Sequence, residues 1–147
     1  MSSIIEKQKI IVDEFKKFDS WEPKYKYIIE LGRQLTQMPD KFKIENNKVK
    51  GCQSQVWLYA ELTSDNKIHF TADSDALIVK GLIALLLKVY DLEVPSEVLK
   101  TPPHFISEID LGTHLSPSRA NGLNAMIKQI MNYSVAFEML LKANKQN

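Results

Sequence analysis

Cys52 is the only cysteine in the chain, and it is the side chain best suited to covalent chemistry. It lies between Gly51 and Gln53, and a glycine at this place permits unusual backbone angles and close approach by another molecule. Lys48 and Lys50 add positive potential, which favours the nucleophilic thiolate. The alternative is a buried, inert cysteine that acts as a small hydrophobic side chain. The residue pattern alone leaves both interpretations open.

The other residues that could carry chemistry are not spaced as a site. His69, His104 and His114 are far apart, whereas structural zinc sites draw several Cys or His ligands from short spacings. Iron–sulfur clusters are commonly held by four thiolates, and the glycines form no phosphate-binding motif. Asp73 and Asp75 precede an apolar helix, so we interpret them as capping residues rather than an acid–base pair. We expect no metal site and no cofactor.

Alternating apolar and polar residues predict a small antiparallel sheet beside Cys52. The alternation runs over residues 54–62 and again over residues 68–72, with a polar turn between them. A further short strand is predicted at residues 48–50, just before Cys52. The reactive residue is therefore expected at a strand boundary.

Helical spacing of apolar residues predicts four helices around this sheet. The third is apolar on nearly all sides, which is typical of a central helix. The predicted helices run from Ile4 to Phe18, from a cap at Asp19 or Ser20 to Leu35, from the 73–75 cap to about Tyr90, and from Ser116–Pro117 to Leu141. The order predicts an α+β fold, with a small antiparallel sheet of about three strands and helices packed on one face.

Length and charge limit the classes of partner. The 147 residues fit one domain, which we assign to residues 1–147. A formal net charge of +1 provides no cationic field for nucleic acid or an anionic membrane surface. The N-terminus becomes charged before an apolar signal region could form, and the longest apolar run, Leu82–Leu87, is too short to span a bilayer. We expect a cytoplasmic protein with neither nucleic acid nor membrane as a partner.

Four blocks of sequence, in order and spread over nearly the whole chain, resemble one protein family. The block around Cys52 reads VKGCQSQVWL, and it is similar to the reactive-cysteine segment of the SufE/CsdE sulfur-acceptor family, closer to the SufE branch. Three other blocks resemble the second, central and last helices of that family. The four blocks are Trp21–Gly32, Val49–Leu58, Asp73–Ala84 and His114–Ile127.

The resemblance implies a fold like that of IscU-type scaffolds, with the cysteine on a loop at one end of the sheet. It implies that the protein accepts persulfide sulfur onto Cys52 from a SufS-like cysteine desulfurase. It also implies that the protein stimulates that enzyme and passes the sulfur to a SufB-like iron–sulfur scaffold. Pyridoxal phosphate then belongs to the desulfurase, so the chain is a sulfur-transfer accessory protein rather than a stand-alone enzyme. A weak homodimer remains open.

Several residues near the thiol are candidates for supporting roles. Arg119, in a matching block, is a candidate for partner contact or thiolate stabilisation, and a surface salt bridge is its alternative. His114 is a candidate proton relay or a structural loop residue. Gly51, Gln53 and Gln55 are candidates for contact with a partner. Trp57 and Tyr59, which alternate with the buried face, are interpreted as packing residues.

Three rival functions remain. A thiol-dependent hydrolase would need His104 or His114 beside Cys52 and an oxyanion site. A cluster-binding scaffold would need more ligands than one cysteine supplies. A pure interaction module would have a buried, inert Cys52.

Overall fold

The computed structural model describes residues 3–145. The expected single domain covers residues 1–147, and its residues 1–2 and 146–147 lie outside the described residues. Residues 1–2 also begin the N-terminal stretch in which no signal peptide is expected. The elements are α1 (Ser3–Lys16), α2 (Trp21–Arg33), β1 (Val56–Leu62), β2 (Ile68–Ser74), α3 (Leu77–Tyr90), α4 (Pro95–Lys100), α5 (Phe105–Glu108) and α6 (Pro117–Lys145), with 3₁₀ turns at Asp40–Phe42, Glu45–Asn47 and Gly112–His114. No helix within the described range combines the length and apolarity needed to cross a bilayer.

The sheet is a hairpin of two antiparallel strands, in which Val56 of β1 pairs with Ser74 of β2 and Leu62 pairs with Ile68. Side chains alternate along both strands between a buried face and a partly exposed face, as the alternating sequence predicts. Helix α3 packs against β2, and α6 packs against β1. The α+β class, a small antiparallel sheet with packed helices, is confirmed.

The structure differs from the prediction at the third strand, residues 48–50. This segment forms one isolated bridge, between Lys48 and Trp57, and one hydrogen bond, from Val49 N to Val56 O over 2.8 Å. The segment is short because Gly51 has a φ of 96°, which turns the backbone out of the extended conformation. Within the described residues, the hairpin therefore has a bridging segment rather than a third strand.

Helix α3 is the central helix, as its nearly uniform apolar sequence predicts. It packs against α1, α2, α6 and β2. Leu77 at its start and Lys88 near its end are exposed, and Lys80 is partly exposed. Its buried residues lie on all sides: Ile78, Val79, Gly81, Leu82, Ile83, Ala84, Leu85, Leu86, Leu87, Val89 and Tyr90.

Helices α2 and α3 cross at two glycines. A Cβ atom on Gly81 would lie 2.2 Å from the carbonyl oxygen of Ile28, and one on Gly32 would lie 2.8 Å from the backbone nitrogen of Gly81. These distances are shorter than van der Waals contact, so a side chain at either glycine would separate the helices. The close crossing fixes α2 rigidly on the central helix.

Groups from outside the hairpin occupy its outer edges. On β1, the Tyr133 hydroxyl of α6 donates a hydrogen bond to Leu58 O over 3.0 Å. On β2, the Asp91 carboxylate accepts a hydrogen bond from Phe70 N over 2.7 Å, and the backbone after Asp91 pairs with Ile68. Backbone groups that would otherwise face outward are thereby engaged.

The carboxylates of Asp73 and Asp75 do not cap α3, so that interpretation is wrong. Strand β2 extends further than predicted, and α3 begins without a side-chain cap. Asp73 instead accepts from Lys43 over 2.8 Å and from Lys80 over 3.2 Å. Asp75 accepts from Gln55 N over 3.0 Å. Asp73 therefore joins β2 to the turn at Lys43 and to α3, whereas Asp75 joins the two ends of the hairpin to each other.

Candidate functional site

Cys52 lies on a loop that connects the bridging segment to β1. The loop turns at Gly51, whose positive φ is readily adopted by glycine and rarely by other residues. A Cβ atom on Gly51 would lie 3.3 Å from the Cβ of Ala125, so the loop backbone runs close to α6. Glycine therefore meets two requirements here, the turn and the close approach.

The Cys52 thiol is half-buried against α6. Its Sγ lies 3.6 Å from the carbonyl oxygen of Gly122, and the S–H group donates to that oxygen. Burial raises the pKa of the Cys52 thiol above its usual value. Donation to a carbonyl also favours the neutral thiol, because a thiolate has no proton to share. The resting site therefore keeps Cys52 protonated at neutral pH.

The expectation that Lys48 and Lys50 would favour the thiolate is wrong for this conformation. Lys48 pairs with Glu45 over 3.1 Å, and neither lysine is among the residues that line the cavity at Cys52. Desolvation raises the pKa of this partly buried thiol, and water screens the charges of the partly exposed Lys48 and the exposed Lys50.

A cavity of about 290 Å³ opens beside the thiol. Among the described residues its lining contains hydroxyl, amide and guanidinium groups but no histidine. The lining residues are Cys52, Gln53, Ser54, Val79, Ser116, Ser118, Arg119, Gly122 and Met126. The cavity can therefore offer hydrogen-bond donors and one positive charge to an anionic group attached to Cys52.

The start of α6 forms one wall of this cavity. As predicted, Pro117 is the first residue of the helix, and Ser116 caps it by accepting a hydrogen bond from Arg119 N over 3.3 Å. The Ser118 hydroxyl donates to the Oε1 of Gln53 over 3.2 Å. Arg119 is exposed and lines the cavity. The helix start therefore brings Arg119 and Ser118 to the Cys52 loop.

Gln55 lies outside the cavity lining. Its backbone exchanges hydrogen bonds with Asp75, from Gln55 N to Oδ1 over 3.0 Å and from Asp75 N to Gln55 O over 3.3 Å. Its side chain is exposed one residue before β1 begins, so it is available to a partner beside the site.

His114 is held away from the cavity. Its ring stacks on Trp21 with the centroids 3.9 Å apart, and its Nε2 lies 3.7 Å from the Asp110 carboxylate. The Tyr25 hydroxyl donates to the His114 carbonyl oxygen. These contacts match the structural alternative for His114, because they fix the segment before α6 to α2.

Trp57 and Tyr59 lie on the hairpin face opposite the core, as the alternation predicts. Tyr59 stacks on Phe42 with the centroids 4.1 Å apart, and Lys43 Nζ lies 5.9 Å from the centre of the Trp57 ring. The Trp57 indole nitrogen is buried without a hydrogen-bond partner among the described residues. Both aromatic residues therefore pack against the 3₁₀ segment that precedes the sheet.

Sequence reasoning assigned no role to Ser118, Gly122 or Met126. One signal was available for Gly122, because an isolated glycine inside a helical pattern costs about 1 kcal/mol relative to alanine and suggests a packing reason. The Gly122 carbonyl faces Cys52, and a Cβ atom there would lie 3.5 Å from Sγ. Within residues 3–145, no group of three or more His, Cys, Asp or Glu side chains is arranged to hold a metal ion.

Comparison with known families supports the resemblance seen in the four blocks. The family model described as "SufE: Fe-S metabolism associated domain" matches residues 9–134. The chain belongs to the SufE family. A SufE-like protein of Rhizobium meliloti (strain 1021), itself uncharacterised, is 42% identical over 124 residues, which cover 82% of this chain and 89% of that protein.

A solved structure supports the fold. The solution structure of a hypothetical protein from Thermus thermophilus matches with a TM-score of 0.75, covering 90% of this chain and 96% of the other, at 23% identity. That likeness concerns the fold alone. SufE membership implies a sulfur-transfer role in iron–sulfur metabolism, with a cysteine desulfurase as the implied partner.

Proposed function

We propose that this SufE-family chain accepts persulfide sulfur from a cysteine desulfurase onto Cys52, stimulates that enzyme, and passes the sulfur to an iron–sulfur cluster assembly scaffold. The observation that carries the proposal is the position of the single thiol, half-buried beside a cavity of about 290 Å³ lined by polar groups. A persulfide formed on Cys52 can extend into this space. Because free thiols persist where reductants are abundant, the cytoplasm is the proposed compartment.

The proposed transfer is an exchange between two sulfur atoms and needs no external oxidant. The Cys52 thiolate attacks the outer sulfur of the donor persulfide, forming a new S–S bond while the bond to the donor cysteine breaks. The donor cysteine leaves as a thiolate, and Cys52 becomes a persulfide. A thiolate of the scaffold then attacks the outer sulfur, and Cys52 leaves as a thiolate. Each step conserves sulfur atoms, electrons and total charge.

The resting thiol must lose its proton before it can attack. Burial raises the pKa of Cys52, and the S–H donates to Gly122 O, so the thiolate is scarce in the free protein. Docking that moves Sγ away from this carbonyl and towards the Arg119 guanidinium would favour the anion. The attack is thereby coupled to the presence of the donor, which protects the thiol from unproductive reactions.

Stimulation of the desulfurase follows from the same step. Removing the outer sulfur frees the desulfurase cysteine for its next turnover. Pyridoxal phosphate and the cleavage of free cysteine belong to the desulfurase in this proposal, so the SufE-family chain is an accessory protein. Gln53, Gln55 and Arg119 are exposed around Cys52 and are the proposed contacts with the partner.

Cys52→Ser tests the proposal. After incubation with desulfurase, pyridoxal phosphate and cysteine, we expect the Cys52 peptide of the wild-type chain to gain about 32 Da, the mass of one sulfur atom. We expect no gain in Cys52→Ser and an unchanged thermal transition. Mass spectrometry under non-reducing conditions makes the measurement.

A matched control places the thiol elsewhere. Ser107 is an exposed residue of α5 outside the cavity, so Cys52→Ser combined with Ser107→Cys restores one thiol without the site. We expect this double variant to take up little sulfur and not to stimulate the desulfurase. Uptake equal to that of the wild type would show that any exposed thiol suffices, and the proposal would fail.

No observation favours the rival functions. The cavity lining includes no histidine among the described residues, which leaves a Cys–His hydrolase without a base at the thiol. A scaffold role has no metal-holding cluster within residues 3–145 to support it. An inert Cys52 is hard to reconcile with a thiol that borders an open cavity.

A further inference from the structure

The Cys52 loop touches α6 at three successive places on one face of that helix. Gly51 packs near Ala125, Cys52 donates to the Gly122 carbonyl, and Gln53 accepts from the Ser118 hydroxyl. Positions 118, 122 and 125 are spaced by four and three residues, so they lie in a row along the helix. The loop is therefore laid along α6, with its end at Gln53 bonded to the helix start.

The three contacts differ in kind. Gly51 has no side chain, and its backbone only passes close to Ala125. The contact of Cys52 uses sulfur, which is a weak donor. Among the described residues, the bond from Ser118 Oγ to Gln53 Oε1 is the only hydrogen bond that joins two side chains across this contact. The bond is exposed, and both of its partners line the cavity.

From this arrangement we infer that Ser118 is a positioning residue, which holds the Cys52 loop against α6 through Gln53 and so limits how often the thiol is exposed. When the bond breaks, the loop is free to turn about Gly51, whose backbone has the conformational range to act as a hinge. A partner that engages the Gln53 amide would break the same bond. The significance for sulfur uptake rests on the proposed function, whereas the restraint on the loop does not.

The test is the rate at which N-ethylmaleimide modifies Cys52 in the full chain, measured from pH 6 to pH 10. Because one such hydrogen bond shifts an equilibrium modestly, we expect Ser118→Ala to raise the rate roughly two- to ten-fold at every pH. Ser118→Thr keeps the hydroxyl and should restore the wild-type rate. Ser107→Ala is the matched control and should leave the rate unchanged. It removes an exposed hydroxyl that donates a hydrogen bond of 3.1 Å to His104 O, and Ser107 does not line the cavity.

A double variant makes the inference specific. If Ser118 acts through Gln53, then Gln53→Ala raises the rate to a similar extent, and Gln53→Ala with Ser118→Ala is no faster than either single variant. Equal rates in Ser118→Ala and wild type would overturn the inference. So would additive effects, or a shift in the pH midpoint with an unchanged rate at high pH. The assay uses neither desulfurase nor sulfur, so its result is independent of the sulfur-transfer proposal.

Discussion

Two close contacts at glycines differ in how well they tolerate an added side chain. At the crossing of α2 and α3, a Cβ atom on Gly81 would lie 2.2 Å from a backbone oxygen. At the Cys52 loop, a Cβ atom on Gly122 would lie 3.5 Å from the thiol sulfur, which is ordinary van der Waals contact. The first contact is between two helix backbones, and the second is between a helix and the end of a short side chain.

The difference separates a rigid support from a contact that can give way. The helix crossing cannot relax without displacing α2 from the central helix, because packed backbones have no alternative arrangement nearby. The loop contact depends on one sulfur donor, one side-chain hydrogen bond and a glycine turn. Movement at the site therefore need not disturb the core.

The largest expected effect comes from Gly81→Ala. The added Cβ would clash with the Ile28 carbonyl oxygen, and we expect the free energy of unfolding to fall by about 3 kcal/mol. Gly122→Ala should not lower it, because the space is adequate and alanine is favoured over glycine in a helix by up to about 1 kcal/mol. Urea denaturation monitored by circular dichroism measures both.

Gly112→Ala serves as the neutral control. A Cβ atom on Gly112 would meet nothing within 4 Å, so the change in stability should stay within about 0.5 kcal/mol. If Gly81→Ala were as stable as Gly112→Ala, the helix crossing would be no more constrained than an open turn, and the contrast with the loop would disappear.

An intermediate effect is expected from Asp73, which joins β2 to its neighbours. Burial, the largest influence, acts to raise the pKa of Asp73, but hydrogen bonds from Lys43, Ser74 N and Lys80 outweigh it and lower the pKa below its usual value. A lowered folded-state pKa contributes stability above the unfolded-state pKa of about 3.9, and that stability is lost as the pH falls through the folded-state value. We expect Asp73→Asn to cost about 1–2 kcal/mol at pH 7 and progressively less below pH 4.

The matched control for this pH dependence is Asp40→Asn. Asp40 is an exposed carboxylate 3.8 Å from the same Lys43, and exposed pairs contribute little. Urea midpoints between pH 2 and pH 7 make the comparison. A cost for Asp73→Asn that stays constant at acid pH would show that the lost interaction is not ionic.

The smallest effect on stability is expected from Arg119→Ala, because the side chain is exposed. The free energy of unfolding should change by less than about 0.5 kcal/mol. If Arg119 contacts the partner or the thiolate, stimulation of the desulfurase should fall roughly five-fold or more. The control is Arg33→Ala, an exposed arginine paired with Glu30 over 3.4 Å on α2. If Arg119→Ala lowered the free energy of unfolding clearly and left stimulation of the desulfurase near the wild-type level, Arg119 would be a structural residue.

The sequence predicted the helices and strands that support the site better than it predicted the site itself. The nearly continuous apolar run of α3 indicated a central helix, and alternation from residue 54 indicated β1, because burial dictates side-chain type at each of these positions. The Ser116–Pro117 helix start was also predicted, since its capping chemistry is local. These features follow from residues that are close together in the chain.

The rest depended on contacts between distant residues. Cys52 is half-buried against α6, whose residue Gly122 lies 70 positions away along the chain. The prediction from the neighbouring lysines, that the thiolate is favoured, was wrong because it could not include this burial, which raises the pKa of Cys52. Asp73 looked like a cap because its partner Lys43 lies on another segment. The bond between Gln53 and Ser118 likewise joins residues that no periodicity relates.

The covered edges of the hairpin bear on how the protein behaves at high concentration. An open strand edge invites pairing with another chain and seeds aggregation. Here the Tyr133 hydroxyl occupies an outward carbonyl of β1, and the Asp91 carboxylate occupies an outward amide of β2. Such a hairpin offers a poor template for strand addition, so we expect copies of the chain not to pair through these strand edges.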